Sequence, residues 1–213
     1  MLQVTPIVFV VDDDVSVRNS LANLFRSVCL PVEVFSSPVS FLEHPFADVA
    51  SCIVLDIRMP GSNGLDFQTE LATADIRIPI IFLTGHGDIQ MSVQAMKAGA
   101  IDFLSKPYRE QDILDAVRAA LERDRRRRED EIAVRDLRTR YESLSKREQQ
   151  VMALVTSGLM NKQAAAEAGI SETTIKIHRA HVMQKMRAAS FAELVRMAET
   201  LQIRRPKSRT DYT

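Results

Sequence analysis

The feature that most restricts the fold is a repeated alternation in the first half of the chain. Short apolar runs rich in β-branched residues alternate with longer amphipathic stretches, which is the signature of parallel strands joined by helical crossovers. The runs fall at 7–11, 32–35, 52–55, 80–83 and 102–104, and the helical stretches near 16–28, 38–44, 64–72, 89–98 and 110–122. Within IVFVV and CIVL the hydrophobicity is continuous rather than alternating, so both faces of those strands must be covered. The pattern predicts an α/β domain over residues 1–122, a doubly wound five-stranded parallel sheet.

From Leu144 the β-branched runs stop and four short helices are expected, at 146–157, 162–168, 172–187 and 191–202, in a small all-α domain over 144–205. Ser145 with Glu148 and Ser190 with Glu193 have capping-box spacing, in which hydroxyl and carboxylate satisfy the first backbone N–H groups of a helix. Asn161 and Ser171 are expected as N-caps, and Gly158 and Gly169 as C-terminal caps. Between the domains, 123–143 lacks Gly and Pro and is dominated by charge, with acid-first i,i+4 pairs such as Glu122–Arg126 and Asp124–Arg128. It is expected to be a helical linker rather than a tether. Val134, Leu137, Tyr141 and Leu144 keep a 3-4-3 spacing through which two linkers would pair, in a short, weak coiled coil at best. Residues 206–213 are expected to be a disordered tail.

The net charge of zero conceals a division. Residues 1–121 carry 8 basic and 15 acidic side chains and residues 122–213 carry 20 and 13, so an acidic half precedes a basic one suited to a polyanion such as nucleic acid. There is no apolar run of membrane-spanning length and no basic signal-peptide start, so a cytoplasmic protein without membrane association is expected. Cys29 and Cys52 lack metal-ligand spacing and are expected to be ordinary buried thiols.

The residues that end the strands carry the chemistry. Asp12 and Asp13 follow the first run, Asp56 the third, Thr84 the fourth and Lys106 the fifth. In a doubly wound sheet these ends converge on one crevice. Three carboxylates there repel one another and call for a hard dication with oxygen ligands, for which Mg²⁺ fits best. The constellation suits phosphoryl transfer onto a carboxylate, where positioning and charge neutralisation do most of the work. Asp56, ending the central strand, is the expected nucleophile. Asp13 would bind Mg²⁺ directly, Asp12 mainly through water, and the Arg58 backbone carbonyl would add an oxygen. Lys106 would pair with Asp56 or the phosphoryl group, and Thr84 would hydrogen-bond a phosphoryl oxygen. Lys106–Pro107 is a candidate cis peptide.

With VVDDD at 10–14, VLDIRMPGSNGLD at 54–66, TGHGD at 84–88 and MKAGAIDFLSKP at 96–107, residues 5–122 resemble the receiver domain of two-component response regulators. The resemblance implies a phosphohistidine on a cognate histidine kinase as donor. It also implies a switch in which Thr84 moves toward the phosphoryl group and Phe103 rotates into the space behind it. Phe103 stands where the family commonly has tyrosine, so packing alone would hold its inward state. Aspartate-based phosphohydrolases also use a strand-end Asp with Mg²⁺. They need a second acid two residues later, and that position is Arg58.

GLMNKQAAAEAGISETTIKIHRAHVMQKMRA, within 141–203, resembles the helix-turn-helix of LuxR-type regulators of the NarL/FixJ subclass. RNA-binding antiterminators behind the same receiver lack this turn and recognition helix. Helical spacing places Ile175, Val182 and Met186 toward the core and Thr173, Lys176, Ile177, Ala180 and Gln184 on the opposite face. Ile177 suits a thymine methyl and Lys176 guanine O6 or N7. Thr174, His178, Arg179 and Lys185 are better placed for phosphates. Ala180 stands where lysine is common in the family. The resemblance implies a homodimer formed on phosphorylation that places two recognition helices on double-stranded DNA, with RNA polymerase a further candidate partner. Beyond its own phosphorylation and dephosphorylation, no enzyme activity is expected.

Overall fold

In the computed structural model, the described residues are 5–59, 62–85 and 89–203. The chain divides into two compact units, 1–128 and 129–213.

In the first unit β1 (Ile7–Val11), α1 (Val15–Ser27), β2 (Val32–Phe35), α2 (Pro38–Leu42) and β3 (Ser51–Asp56) are followed by two short strands, β4 (Arg58–Met59) and β5 (Ser62–Asn63). Then come α3 (Gly64–Thr73), β6 (Ile80–Thr84), α4 (Ile89–Lys97), β7 (Asp102–Ser105) and α5 (Glu110–Glu142). The main sheet has the order β2-β1-β3-β6-β7 with every pairing parallel. This is the doubly wound five-stranded sheet expected from the alternation. The antiparallel β4–β5 pair was not anticipated, since two-residue strands leave no periodic trace.

Period-two alternation divides the sheet into two cores. Val8, Val10, Cys52, Val54, Ile81 and Leu83 face α1 and α5, meeting Leu21, Phe25, Ile113 and Val117. Phe9, Val11, Ile53, Leu55, Ile80 and Phe82 face the other way, against Phe41 of α2, Phe67 and Leu71 of α3 and Ala95 of α4. Both faces are therefore covered, which is why these strands are apolar throughout. Of the cysteines only Cys52 is buried. Cys29 is exposed, because it sits at φ 60° in the turn leaving α1, where the side chain is directed to solvent rather than to the sheet.

The second unit holds α6 (Lys146–Thr156), α7 (Asn161–Ala168), α8 (Glu172–Met186) and α9 (Phe191–Thr200). The Ser145–Glu148 capping box is present. The Ser190 hydroxyl accepts from Glu193 N, but the Glu193 carboxylate reaches Ala189 N instead of closing the box on Ser190. Asn161 is not an N-cap: Met160 holds that position, its N–H satisfied by the Gln163 side chain, and Asn161 Oδ1 accepts from Arg179. Gly169, at φ 66°, ends α7 in the left-handed region and permits the sharp turn into α8, where a Cβ would be strained.

α6, α7 and the start of α8 enclose Val151, Leu154, Val155, Ala164, Ala165 and Ile175. A second cluster contains Met152, Val182, Met186, Leu194 and Ala198, with Met197 and Leu201 packed against it, so the apolar stripe of α9 closes its own unit. Leu137, Tyr141 and Leu144 join this same cluster. They are therefore not a free seam for pairing two linkers, because the local core already uses them. Residues 206–213, expected as a disordered tail, lie outside the described residues.

Candidate functional site

Parallel register aligns the carboxyl ends of the strands: Val11 lies beside Leu55, Asp56 beside Leu83, and Thr84 beside Ser105. The residues that follow are thereby brought to one edge. Asp12, Asp13 and Asp56 each place a carboxylate oxygen within 4.8 Å of the other two. Lys106, fifty residues from Asp56, sends its ammonium to the same point, 2.9 Å from both Asp12 Oδ2 and Asp56 Oδ2. The Lys106–Pro107 peptide is cis. Thr84 is buried at the end of β6, and its carbonyl accepts from Lys106 N at 2.6 Å. Phe103, on β7, is partly buried, its ring 6.5 Å from that of Phe82. Arg58 is exposed, and its backbone N–H donates to Asp56 Oδ1 at 3.3 Å.

The electrostatics follow from burial. Asp12 is 1% exposed, and desolvation raises its pKa despite the hydrogen bond from Lys106. Burial alone would lower the pKa of Lys106, but its bonds to Asp12 and Asp56 outweigh that and raise it. A clustered, partly desolvated set of carboxylates with one ammonium has the donor chemistry of a hard-cation site, and the residues fit Mg²⁺. Asp13, on the exposed side, is open to an arriving ion.

Two contributors escaped the sequence reading. Arg18 donates from one nitrogen to the carbonyls of Asp12 and Asp13, at 2.6 and 2.8 Å, fixing the backbone that carries both acids. Its position on the first turns of α1 was the available signal. Gly64 begins α3 hard against β3: a Cβ there would stand 3.0 Å from Asp56 O and Ile57 Cα. The glycine lies within the GSNGLD stretch already singled out, but the close approach needs the fold to be seen.

In the second unit, α8 buries Ile175, Val182 and Met186 and exposes Thr173, Lys176, Ile177, Ala180 and Gln184, the division that helical spacing gives. Ile177 is 52% exposed, unusual for so large an apolar side chain standing among polar neighbours. The four remaining candidates have different surroundings. Thr174 shares a hydrogen bond with Ser171 at 2.8 Å, and Arg179 lies 4.3 Å over the Phe191 ring. Lys185 Nζ is 2.7 Å from Glu148 Oε2. His178 is partly buried, and its Nδ1 has no hydrogen-bond partner among the described residues.

A parallel sheet of this order with acids and a lysine at its carboxyl edge, followed by a helix-turn-helix unit, defines a receiver-containing regulator. Residues 8–118 match the family model described as response regulator receiver domain, and residues 142–198 match that of bacterial regulatory proteins, luxR family. Nodulation protein W of Bradyrhizobium diazoefficiens is 62% identical over 197 residues, covering 92% of this chain and 87% of that protein. Transcriptional regulatory protein FixJ of Azorhizobium caulinodans is 45% identical over 191 residues, 90% of each chain. The solved structure of the response regulator StyR superposes with a TM-score of 0.80 at 49% identity, covering 92% of this chain and 98% of that one. The chain belongs to the response regulators of the NarL/FixJ subclass, transcriptional regulators with a receiver and a LuxR-type DNA-binding domain. The phosphohydrolase alternative has no support among these relatives. Among the described residues no helix is long and apolar enough to cross a membrane.

Proposed function

We propose that Asp56 is the phosphoacceptor of this regulator and that phosphorylation promotes its dimerisation on operator DNA. The observation that carries the reading is the Lys106 ammonium bridging Asp12 and Asp56 at 2.9 Å. An Asp56 carboxylate oxygen attacks phosphorus of a phosphohistidine on the cognate kinase. The P–N bond breaks, the imidazole leaves, and an aspartyl phosphate is formed. Asp12, Asp13, Asp56 and the Arg58 carbonyl would hold Mg²⁺, which would supply neutralisation of charge on the transferring group. Lys106 then pairs with the phosphoryl group, Thr84 donates its hydroxyl to one oxygen, and Phe103 follows inward.

On the DNA side, Thr173, Lys176, Ile177, Ala180 and Gln184 face base edges, and Thr174, His178, Arg179 and Lys185 flank them toward phosphates. Residues 1–122, 123–143 and 144–205 serve as receiver, helical connector and DNA-binding domain. RNA polymerase is a further partner of the DNA-bound form. The test is phosphorylation by acetyl phosphate with Mg²⁺, read by phosphate-affinity electrophoresis. Wild type should shift and Asp56→Asn should not. A shift of Asp56→Asn at the wild-type level would overturn the assignment.

A further inference from the structure

The DNA-binding unit contains a second cluster of metal-ligating groups that the switch does not use. Glu148 of α6 and His178 and His181 of α8 each place one ligand atom within 4.8 Å of the other two. The chain has only four histidines, and two of them share this patch. The two lie at i,i+3 on α8, which puts their rings on one side of the helix, toward α6. His178 Nδ1 is buried with no hydrogen-bond partner among the described residues, an orphaned lone pair or N–H that ordinary packing would not leave.

Glu148 is preset as an anionic ligand. Its carboxylate is almost fully buried and accepts from the Lys185 ammonium at 2.7 Å and from the Ser145 backbone N–H at 2.8 Å. Both of those bonds fall on Oε2. Oε1 is left facing His181 Nδ1 at 3.6 Å. Ligand atoms around a tetrahedral zinc stand about 3.4 Å apart. The Glu148–His181 pair, at 3.6 Å, stands close to that separation, and a ligand atom of His178 lies within 4.8 Å of both.

We propose that Glu148, His178 and His181 form a site for a borderline transition-metal dication, Zn²⁺ being the best match. Two imidazoles and one carboxylate with an open fourth position are zinc's common protein ligand set and a poor one for Mg²⁺. Lys185 stays on Oε2, so the carboxylate bridges ammonium and metal, and the nearby positive charge keeps affinity in the micromolar class rather than that of a structural zinc site. Binding ties α6 to the recognition helix and removes His178 from any contact with DNA.

The test is calorimetric titration of metal-free full-length protein with Zn²⁺ in excess Mg²⁺, which occupies the acidic receiver pocket. Wild type should bind one equivalent through this site. His178→Gln and His181→Gln, each verified as folded by circular dichroism, should weaken that event at least tenfold, while Asp13→Asn should leave it unchanged. No binding by wild type overturns the proposal. Equal binding by both folded histidine variants, or loss confined to Asp13→Asn, also overturns it and assigns the zinc elsewhere. None of these outcomes bears on Asp56.

Discussion

Lys106 Nζ lies 2.9 Å from Asp56 Oδ2, with a second of its three N–H donors directed to Asp12. The ammonium therefore neutralises the same carboxylates that are proposed to hold a dication. Lys106→Ala should bind Mg²⁺ more tightly, by roughly 1 kcal/mol, because a competing cation has been removed from a partly desolvated site. Phosphorylation by acetyl phosphate should nonetheless slow, since the variant has lost the group proposed to pair with the phosphoryl oxygens. Isothermal titration and a phosphorylation time course read the two effects. Weaker Mg²⁺ binding in the variant would show that Lys106 positions the carboxylates instead of competing at them.

Phosphorylation should raise self-association. The surface of α4 and β7 carries Met96 and Val93, each 46% exposed, with Met91 and Phe103 partly buried beside them. A change at Phe103 alters a face whose apolar side chains already meet water. Sedimentation velocity with and without beryllofluoride, a phosphoryl mimic, should show a shift from monomer toward dimer. Two DNA-binding units then gain affinity through effective concentration. A monomer that binds DNA more tightly with no change in mass would point to relief of inhibition instead.

On α8, Lys176 and Lys185 should behave differently. Lys176 is exposed and, among the described residues, pairs with Glu172 one turn away at 3.2 Å, a contact of small energetic consequence. Lys176→Ala should relax preference at one operator position by about 1–3 kcal/mol without altering the melting temperature. Lys185→Ala should weaken all sequences alike and also lower thermal stability, because it strands the buried Glu148 carboxylate. Uniform losses in operator-variant binding for both substitutions would refute the assignment of faces.

Much of this was legible in the chain, for identifiable reasons. Strands buried on both faces leave continuous apolar runs, and Asp12, Asp56, Thr84 and Lys106 each stand at the end of one, so topology alone gathers them. The faces of α8 followed from spacing, because Ile175, Val182 and Met186 have no competing role. Partners from distant segments left no such trace. The ion pair of Lys185 with Glu148 could not be read, because that carboxylate lies 37 residues away on another helix. Leu137 and Tyr141 suggested a seam between two linkers for a similar reason, since periodicity marks an apolar stripe without saying what covers it. Cys29 was misplaced because apolar neighbours in sequence do not fix where a left-handed turn residue points.

The depressed pKa of Glu148 makes the DNA-binding unit acid-sensitive. Its native value, about 2, lies below the ordinary 4.5, so its contribution is fully present above pH 4.5 and is lost as pH falls from there through 2. Hydrogen exchange of peptides from 146–203 should show protection declining across that window in wild type. In Glu148→Gln, protection should be lower at pH 7, by roughly 1–3 kcal/mol, and less dependent on pH between 5 and 3. An unchanged slope in the variant would assign the acid response to another carboxylate.

The last prediction concerns α5, which runs over 33 residues to Glu142 and takes in the charged stretch beyond residue 122 that was expected to continue the last receiver helix. Its charged middle has little intrinsic reason to stop, since Arg, Glu, Leu and Ala favour helix and Glu122 pairs with Arg126 at 2.7 Å. Exposed pairs of that kind contribute only a few tenths of a kcal/mol each. Asp124 differs from them: it is fully buried, accepts from Ser51 N at the start of β3, and pairs with Arg127 and Arg128 at 2.6 and 2.7 Å. Arg128 in turn bonds Asp48. One side chain thus ties the beginning of the charged stretch to the strand that carries Asp56, and helix beyond it can propagate without a fresh nucleation cost. Asp124→Ala leaves Ser51 N without its buried acceptor and removes that anchor, at a cost of roughly 2–4 kcal/mol to the receiver unit. Hydrogen exchange across 124–140 should show clear protection in wild type, reduced most in its first half in the variant. Wild-type exchange as fast as in an unfolded peptide would mean a flexible tether, and equal protection in Asp124→Ala would mean that the helix stands without its anchor.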